Sequence, residues 1–373
     1  MDIDTKRKLL RLERIQLTNF KCLDSLDISF PRPELPNEPD IVVMGSRNGV
    51  GKTSVMEACA ISILVLLIHD DIDRPNYIKL PNIQNYFSNL IKSDQSTLSI
   101  VCSFRCGHEV LTSDIEINRK SAIRVKGNDG KIGEMVLQKQ EEKIDLYLLV
   151  ENIIKGGLVD PVQLGGCYYF HGYRKTPEDN PAMGMMINQE EKQKGPMNIA
   201  GYKRSAISAF KLSVFRAMMG RAGLFEVSQQ GEINSQEALD KLNSIIKMYA
   251  GGTVEKLRPT SDDTLELCVT PSQGGEAFAF DGLSSGQKEI ISTLFLIWYH
   301  TVNNPKIIFI DEPELHLNAE WHREFVEQLY ELAPDNQYIL ATHSEDIFGA
   351  VEPEQRLLLK QSVSTSNVAE CVL

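Results

Sequence analysis

The chain has 373 residues, 42% hydrophobic and 24% charged, enough for one large α/β domain with a real core or for two modest ones. Its net charge of −12 excludes a surface that coats nucleic acid all over, and confines any such contact to a local basic patch. Seven dispersed cysteines (Cys22, Cys59, Cys102, Cys106, Cys167, Cys268 and Cys371) exclude a disulfide framework and fit the reduced thiols of a cytoplasmic protein.

Met1 to Arg11 is charged and lacks the form of a secretory signal. Arg14 to Lys21 alternates like an edge strand, Leu26 to Phe30 alternates again, and the two can pair as a hairpin. Pro31 to Pro39 is a proline-rich bridge. Asp40 to Met44 reads as a buried strand, and Ser54 to Ile68 as an apolar helix. Its longest apolar run, Ala58 to Ile68, is too short to span a bilayer, so no membrane is expected.

Between that strand and helix stands Ser46-Arg47-Asn48-Gly49-Val50-Gly51-Lys52-Thr53. A glycine-rich turn entering a helix aims several backbone N–H groups at one point, and the helix N-terminus and a lysine add positive charge. This is a phosphate cradle, with Ser46 to Ser54 as its candidate nucleotide-binding residues and Lys52 as its cation. Ser46 stands where the pattern G-x-x-x-x-G-K-[ST] begins with glycine, and Gly45 comes one place early. A serine with negative φ can occupy that turn, so the expectation is an altered loop entrance on a working site.

Leu98 to Phe104, Val110 to Ile117 and Ser121 to Val125 read as antiparallel strands. Cys102, Cys106 and His108 fall on one strand face with no second ligand pair, which favours a packing role over a metal site. Lys131 to Val150 is a charged stretch passing into a helix. Gly165 to Phe170 is another buried strand. Pro177 to Gly201 has three prolines and no apolar period, and reads as a mobile loop. Lys203 to Gly220 and Ser235 to Tyr249 read as helices, Leu265 to Thr270 and Ala277 to Phe280 as short strands, and Glu289 to His300 as an apolar helix.

Leu283-Ser284-Ser285-Gly286-Gln287 precedes that last helix. Small residues at a helix start make a second anion-binding turn, although Ser-x-x-Gln is also the form of a capping box. Ile307 to Ile310 is an apolar strand ending in Asp311 and Glu312. Asp311 suits the shell of a magnesium ion, and Glu312 suits the polarisation of an attacking water. Trp321 to Leu332 is an amphipathic helix. Gln337 to Thr342 is a buried strand that delivers His343, whose imidazole can hydrogen-bond a γ-phosphate. Arg356 to Lys360 adds one more strand. There is no internal repeat and no heptad run.

Leu283 to Gln287 resembles the LSGGQ signature of ABC-type ATPases, with Ser285 in place of a glycine. Asn19-Phe20-Lys21 resembles the opening of the SMC, RecF and OLD groups. Asp311-Glu312-Pro313-Glu314-Leu315-His316-Leu317 and Thr342-His343-Ser344-Glu345 are most similar to OLD-like ATPases, including those of Septu-type phage defence systems. The resemblance covers most of the chain. It implies an α/β ABC ATPase head: a P-loop core of mixed and parallel sheet, an N-terminal antiparallel part and a helical signature lobe. On that division residues 1–165 and 301–373 form the nucleotide-binding lobe, and 166–300 the signature lobe.

Such heads form head-to-tail homodimers around two ATP and Mg²⁺. Carried over residue by residue, Lys52 meets the β- and γ-phosphates, Thr53 and Asp311 hold magnesium, Glu312 is the base and His343 senses the γ-phosphate. Lys21 lies near the phosphates. Ser284, Ser285, Gly286 and Gln287 act across the interface, and Leu315-His316-Leu317 forms the dimer-facing turn. The family's glutamine that links magnesium to the second lobe is missing after Tyr168-Tyr169-Phe170. His171 stands there, with Arg174 as an alternative and Gln84 and Gln95 as poorer fits.

The span from Thr53 to Leu283 is longer than a transporter head needs. OLD nucleases carry a further domain after the ATPase, and only the thirty residues 344–373 follow His343 here, so nuclease activity is expected from a separate effector protein. Three readings remain: the ATPase of a two-component defence complex, a RecF-like DNA-binding ATPase, and an ATP-bound scaffold with little hydrolysis. The acidic balance and the Asp-Glu-Pro-Glu form favour the first. Assembly beyond a dimer is left open.

Overall fold

The computed structural model describes residues 10–33, 38–45, 50–72, 87–120, 123–126, 162–164, 167–172, 180–181, 208–221, 233–262, 264–360 and 367–371. In chain order the first strands and helix are β1 (Leu10–Phe20), β2 (Leu23–Ser29), β3 (Ile41–Gly45), α1 (Lys52–Ile72), β4 (Thr97–Cys106), β5 (Glu109–Asn118), β6 (Ile123–Lys126), β7 (Val162–Leu164) and β8 (Cys167–Phe170). Then come α2 (Ala209–Arg221), α3 (Ser235–Ala250), β9 (Gly252–Pro259), β10 (Leu265–Pro271), β11 (Phe278–Ala279) and α4 (Ser285–Thr301). The last are β12 (Ile307–Asp311), α5 (Trp321–Leu332), β13 (Gln337–Thr342), α6 (Glu345–Phe348), β14 (Arg356–Lys360) and β15 (Asn367–Cys371).

Twelve strands make one sheet in the order β6-β5-β4-β1-β2-β15-β14-β3-β13-β12-β8-β7. From β14 to β8 the neighbours run parallel, and from β6 to β2 antiparallel. The composition explains the split. Every residue of β3, β12 and β13 is buried, as parallel strands covered on both faces require. β4 alternates instead, with Leu98, Ile100, Cys102, Phe104 and Cys106 on the inner face. Cys102 and Cys106 are therefore core, His108 lies in the turn beyond them, and no metal-holding group of His, Cys, Asp or Glu occurs among the described residues.

Successive residues of the central strands feed two cores. Val42, Met44, Ile307, Phe309 and Ile339 pack with Val55, Met56 and Cys59 of α1. Ile41, Val43, Ile308, Ile310 and Leu340 pack with α2, α3, α4 and α5. The apolar α1 touches β1, β4 and β5 on one side and β8, β12 and β13 on the other, so the sheet wraps around it. Gln337 closes the wrap: its side chain accepts the Leu12 N–H and donates to the Leu12 carbonyl, both at 2.8 Å, beside a bulge in β1. No described helix is long and apolar enough to cross a membrane.

Three sequence expectations change. β8 was assigned to the signature lobe, yet it pairs with β12 in the main sheet; four buried residues in a row need a neighbour on each side. The signature helix starts at Ser285, one turn earlier than its apolar run suggests, because a capping box holds its first turn. β9 was not anticipated. It carries Glu255, Lys256 and Arg258 outward and buries little beyond Gly252 and Val254. The expected loop 177–201 and stretch 131–150 lie outside the described residues, apart from Asn180 and Pro181.

His300, near the end of α4, stacks on Tyr168 with ring centroids 5.7 Å apart. Burial, reinforced by the nearby Arg216 and Lys306 charges, pushes its pKa down to about 4. The unfolded chain takes up that proton near pH 6.5 and the native state does not, so stability must fall as pH drops through that window. The loss between about pH 6.5 and 4 should reach about 3 kcal/mol, and His300→Phe should flatten it. Urea midpoints measured across this range test the point. A parallel profile in the variant would refute it.

Candidate functional site

The C-terminal ends of β3, β12 and β13 lie side by side, where parallel sheets collect ligands. β3 ends at Gly45, and a Cβ there would sit 2.7 Å from the Phe348 ring. Ser46, Arg47, Asn48 and Gly49 lie outside the described residues. Gly51 has φ 100°, and a Cβ would lie 2.9 Å from Leu23, so both backbone and space demand glycine. Leu23, the first residue of β2, thus packs against Gly51. Val50 is buried, Lys52 opens α1, and Thr53 and Ser54 follow in its first turn.

β12 brings Asp311 to α1, and the Thr53 hydroxyl donates to Asp311 Oδ1 at 3.3 Å. Two hard oxygens from a helix start and a strand end are a donor pair that fits Mg²⁺. Glu312 follows with φ 46°, a left-handed conformation rare for a side chain of this size, secured by its N–H to the Ala341 carbonyl at 2.8 Å. His343, just beyond β13, has its Nε2 3.7 Å from Glu312 Oε1. Lys52 Nζ lies 2.9 Å from that Nε2 and 3.2 Å from Nδ1. Burial holds the Lys52 ammonium below the usual lysine range, and the charges of Asp311, Glu312 and Glu314 oppose that shift.

The remaining candidates fall around this cluster. Lys21, at φ 52°, ion-pairs with Glu57 on α1, one turn beyond Thr53. Burial raises the Glu57 carboxyl pKa, and the Lys21 charge works against it. His171 leaves β8 with its ring edge-on to Tyr169, and the next residue, Gly172, abuts the site: a Cβ there would be 3.3 Å from Glu312 Oε2.

The signature turn is committed within its own chain. Ser284 caps α4: its Oγ accepts the Gln287 N–H, and Gln287 Oε1 accepts the Ser284 N–H at 3.0 Å. Gln287 also donates to the Tyr249 carbonyl at 2.9 Å. Ser284 and Ser285 are exposed, whereas Gly286 is buried with its Cα against the 315–317 turn. A Cβ on Gly286 would sit 2.3 Å from the His316 carbonyl oxygen. Beneath the turn, the fully buried Lys211 donates to Asp281 at 2.7 Å and to Asn180 at 3.0 Å.

Sequence reasoning passed over two side chains here. Glu314 accepts the Thr342 hydroxyl at 2.7 Å and the His343 N–H at 2.6 Å. His322 places Nδ1 2.9 Å from Ser344 Oγ. Glu314 was visible only as a letter of the Asp-Glu-Pro-Glu run, and nothing in the spacing of His322 points to Ser344.

Residues 260–348 match the family described as "AAA domain, putative AbiEii toxin, Type IV TA system". A stretch of 108 residues is 30% identical to the Retron Vc95 probable ATPase of Vibrio cholerae serotype O1 biovar El Tor. That match takes in 26% of this chain and 21% of the relative, so the chain covers about a fifth of that protein. Two solved structures share the fold over nearly their whole length. The SMC head bound to the C-winged helix domain of ScpA aligns over 96% of this chain and 97% of its own, at TM-score 0.56 and 13% identity. The SMC head with an extended coiled coil, bound to the C-terminal domain of ScpA derived from Pyrococcus furiosus, aligns over 97% and 96%, at TM-score 0.53 and 12% identity. The chain thus has the mixed α/β fold of the SMC heads, and about a quarter of it is similar to ATPase-type domains.

Proposed function

We propose that the chain binds and hydrolyses ATP, closes as a head-to-tail homodimer around it, and through that cycle regulates a separate effector in an anti-phage defence complex. One observation carries the nucleotide reading. Lys52, Thr53, Asp311, Glu312 and His343 come from three distant segments and meet within hydrogen-bond or ion-pair distance. Lys52 would turn from the imidazole to the β- and γ-phosphates. Thr53 and Asp311 would hold Mg²⁺, which when bound neutralises phosphate charge. Glu312 would orient the attacking water and take its proton, while His343 hydrogen-bonds the γ-phosphate.

The dimer reading is supported by the exposed Ser284 and Ser285, which bring the start of α4, and its positive dipole end, to the surface where a second copy's nucleotide could meet it. The effector and the defence role rest on the Asp-Glu-Pro-Glu and Thr-His-Ser-Glu runs, and the likeness to a retron ATPase accords with them. Lys52→Ala removes a buried cation from the phosphates and should weaken Mg·ATP binding at least tenfold, about 1.5–3 kcal/mol. Calorimetric titration measures this, and unchanged affinity would remove the phosphate role. Size-exclusion chromatography with and without ATP tests the dimer: a particle of one mass in both conditions would refute nucleotide-dependent closure.

A further inference from the structure

We propose that Glu314 is a positioning residue for His343, and that through it the 315–317 turn and the end of β13 shift as one body. The inference rests on His343 sensing the γ-phosphate. The Glu314 carboxylate spans two consecutive residues, accepting the His343 N–H at one oxygen and the Thr342 hydroxyl at the other. Thr342 Oγ1 in turn accepts the Ser344 N–H at 2.9 Å, so one side chain fixes residues 342–344. The His343 N–H sits where the strand ends, and the carboxylate is the partner that satisfies it.

The backbone of Glu314 belongs to the other partner. Its carbonyl accepts the Leu317 N–H at 3.1 Å, inside the turn against which Gly286 packs. From the far side, Ser344 Oγ accepts the Ile347 N–H as a helix cap and lies within hydrogen-bond distance of His322 Nδ1. His322 follows Trp321, the first residue of α5, whose ring meets Tyr249 edge-on at 5.4 Å, and the Tyr249 carbonyl holds Gln287. The main chain that carries the imidazole between Lys52 and Glu312 is thus held by Glu314, through the His343 N–H and the Thr342 hydroxyl. Each Glu314 oxygen already accepts a protein hydrogen, which suits holding rather than proton transfer.

The test compares ADP with the non-hydrolysable analogue AMP-PNP on the full chain, alongside steady-state turnover. Glu314→Ala removes both arms. It should lower the preference for AMP-PNP to the level of His343→Ala and reduce kcat at least tenfold, with ADP affinity unchanged. Glu314→Gln keeps an acceptor for the His343 N–H and can donate to Thr342 Oγ1, so it should restore both values to within about threefold. Should Glu314→Ala lose ADP affinity as well, Thr342→Val removes one arm with little change of shape and must still lower the preference. The inference is overturned if Glu314→Ala keeps wild-type preference and turnover, if Glu314→Gln is as impaired as Glu314→Ala, or if Thr342→Val changes nothing. A wild-type protein with no preference for AMP-PNP would overturn the sensor reading itself, and this inference with it.

Discussion

Glu312→Gln is expected to keep ATP bound and nearly stop its turnover. The amide matches the carboxylate in shape but cannot accept a proton at neutral pH, so the loss isolates proton transfer from binding. The φ of 46° at this position is equally open to glutamine, and the main-chain bond to Ala341 does not involve the side chain. One polar partner, His343 Nε2 at 3.7 Å, meets an amide as readily as a carboxylate. A general base contributes about 100- to 10,000-fold, which sets the expected fall in kcat. Because the γ-phosphate then persists, the variant should accumulate as the ATP-joined dimer. Phosphate release in single-turnover conditions and sizing with ATP give the two readouts. Turnover within about threefold of wild type would assign the base elsewhere, and a variant no more associated than its parent would separate hydrolysis from opening.

Gly286→Ala should disable the head although alanine is the better helix former. Replacing glycine within a helix normally stabilises by about 1 kcal/mol. Here the new methyl would stand 2.3 Å from the His316 carbonyl oxygen, which is main chain and cannot rotate away. His316 itself holds φ 69°, so the turn has little conformational slack. Either α4 or the 315–317 turn must move, at a cost of about 1–3 kcal/mol for an overpacked contact. The same shift would displace Ser284 and the turn together, so hydrolysis should fall at least tenfold while each subunit keeps its own ATP affinity. Thermal melts, titration of ATP into the monomer and turnover separate these effects. A variant as stable and as active as wild type would show that the contact carries no constraint.

The elements that the structure shares with the sequence reading are those written in consecutive residues. The all-apolar runs of β3, β12 and β13, the glycines before α1 and the lysine that opens it, and the carboxylates closing β12 each announce themselves because a strand, a turn or a helix start imposes its demands on neighbouring positions. Boundaries were softer: α4 gains a turn from its capping box, and β9 escaped notice because its charged outward residues mask a strand held mainly by β10. Ser284 to Gln287 carried two readings at once, and the structure satisfies the local one, leaving the two serines outward.

Sequence by itself determined that a glycine-rich turn before a helix, a serine-glycine turn before another and a strand ending in paired carboxylates occur in this order, since each is a local backbone pattern. Only the tertiary structure decided that Glu314 grips the end of β13, that Gly286 must lack a side chain for the sake of His316, that Gly172 borders Glu312, and that β8 lies in the main sheet beside β12. Those contacts join residues far apart along the chain, and their geometry follows from how the sheet wraps α1 and stacks α4 on the turn, which no short stretch of residues encodes.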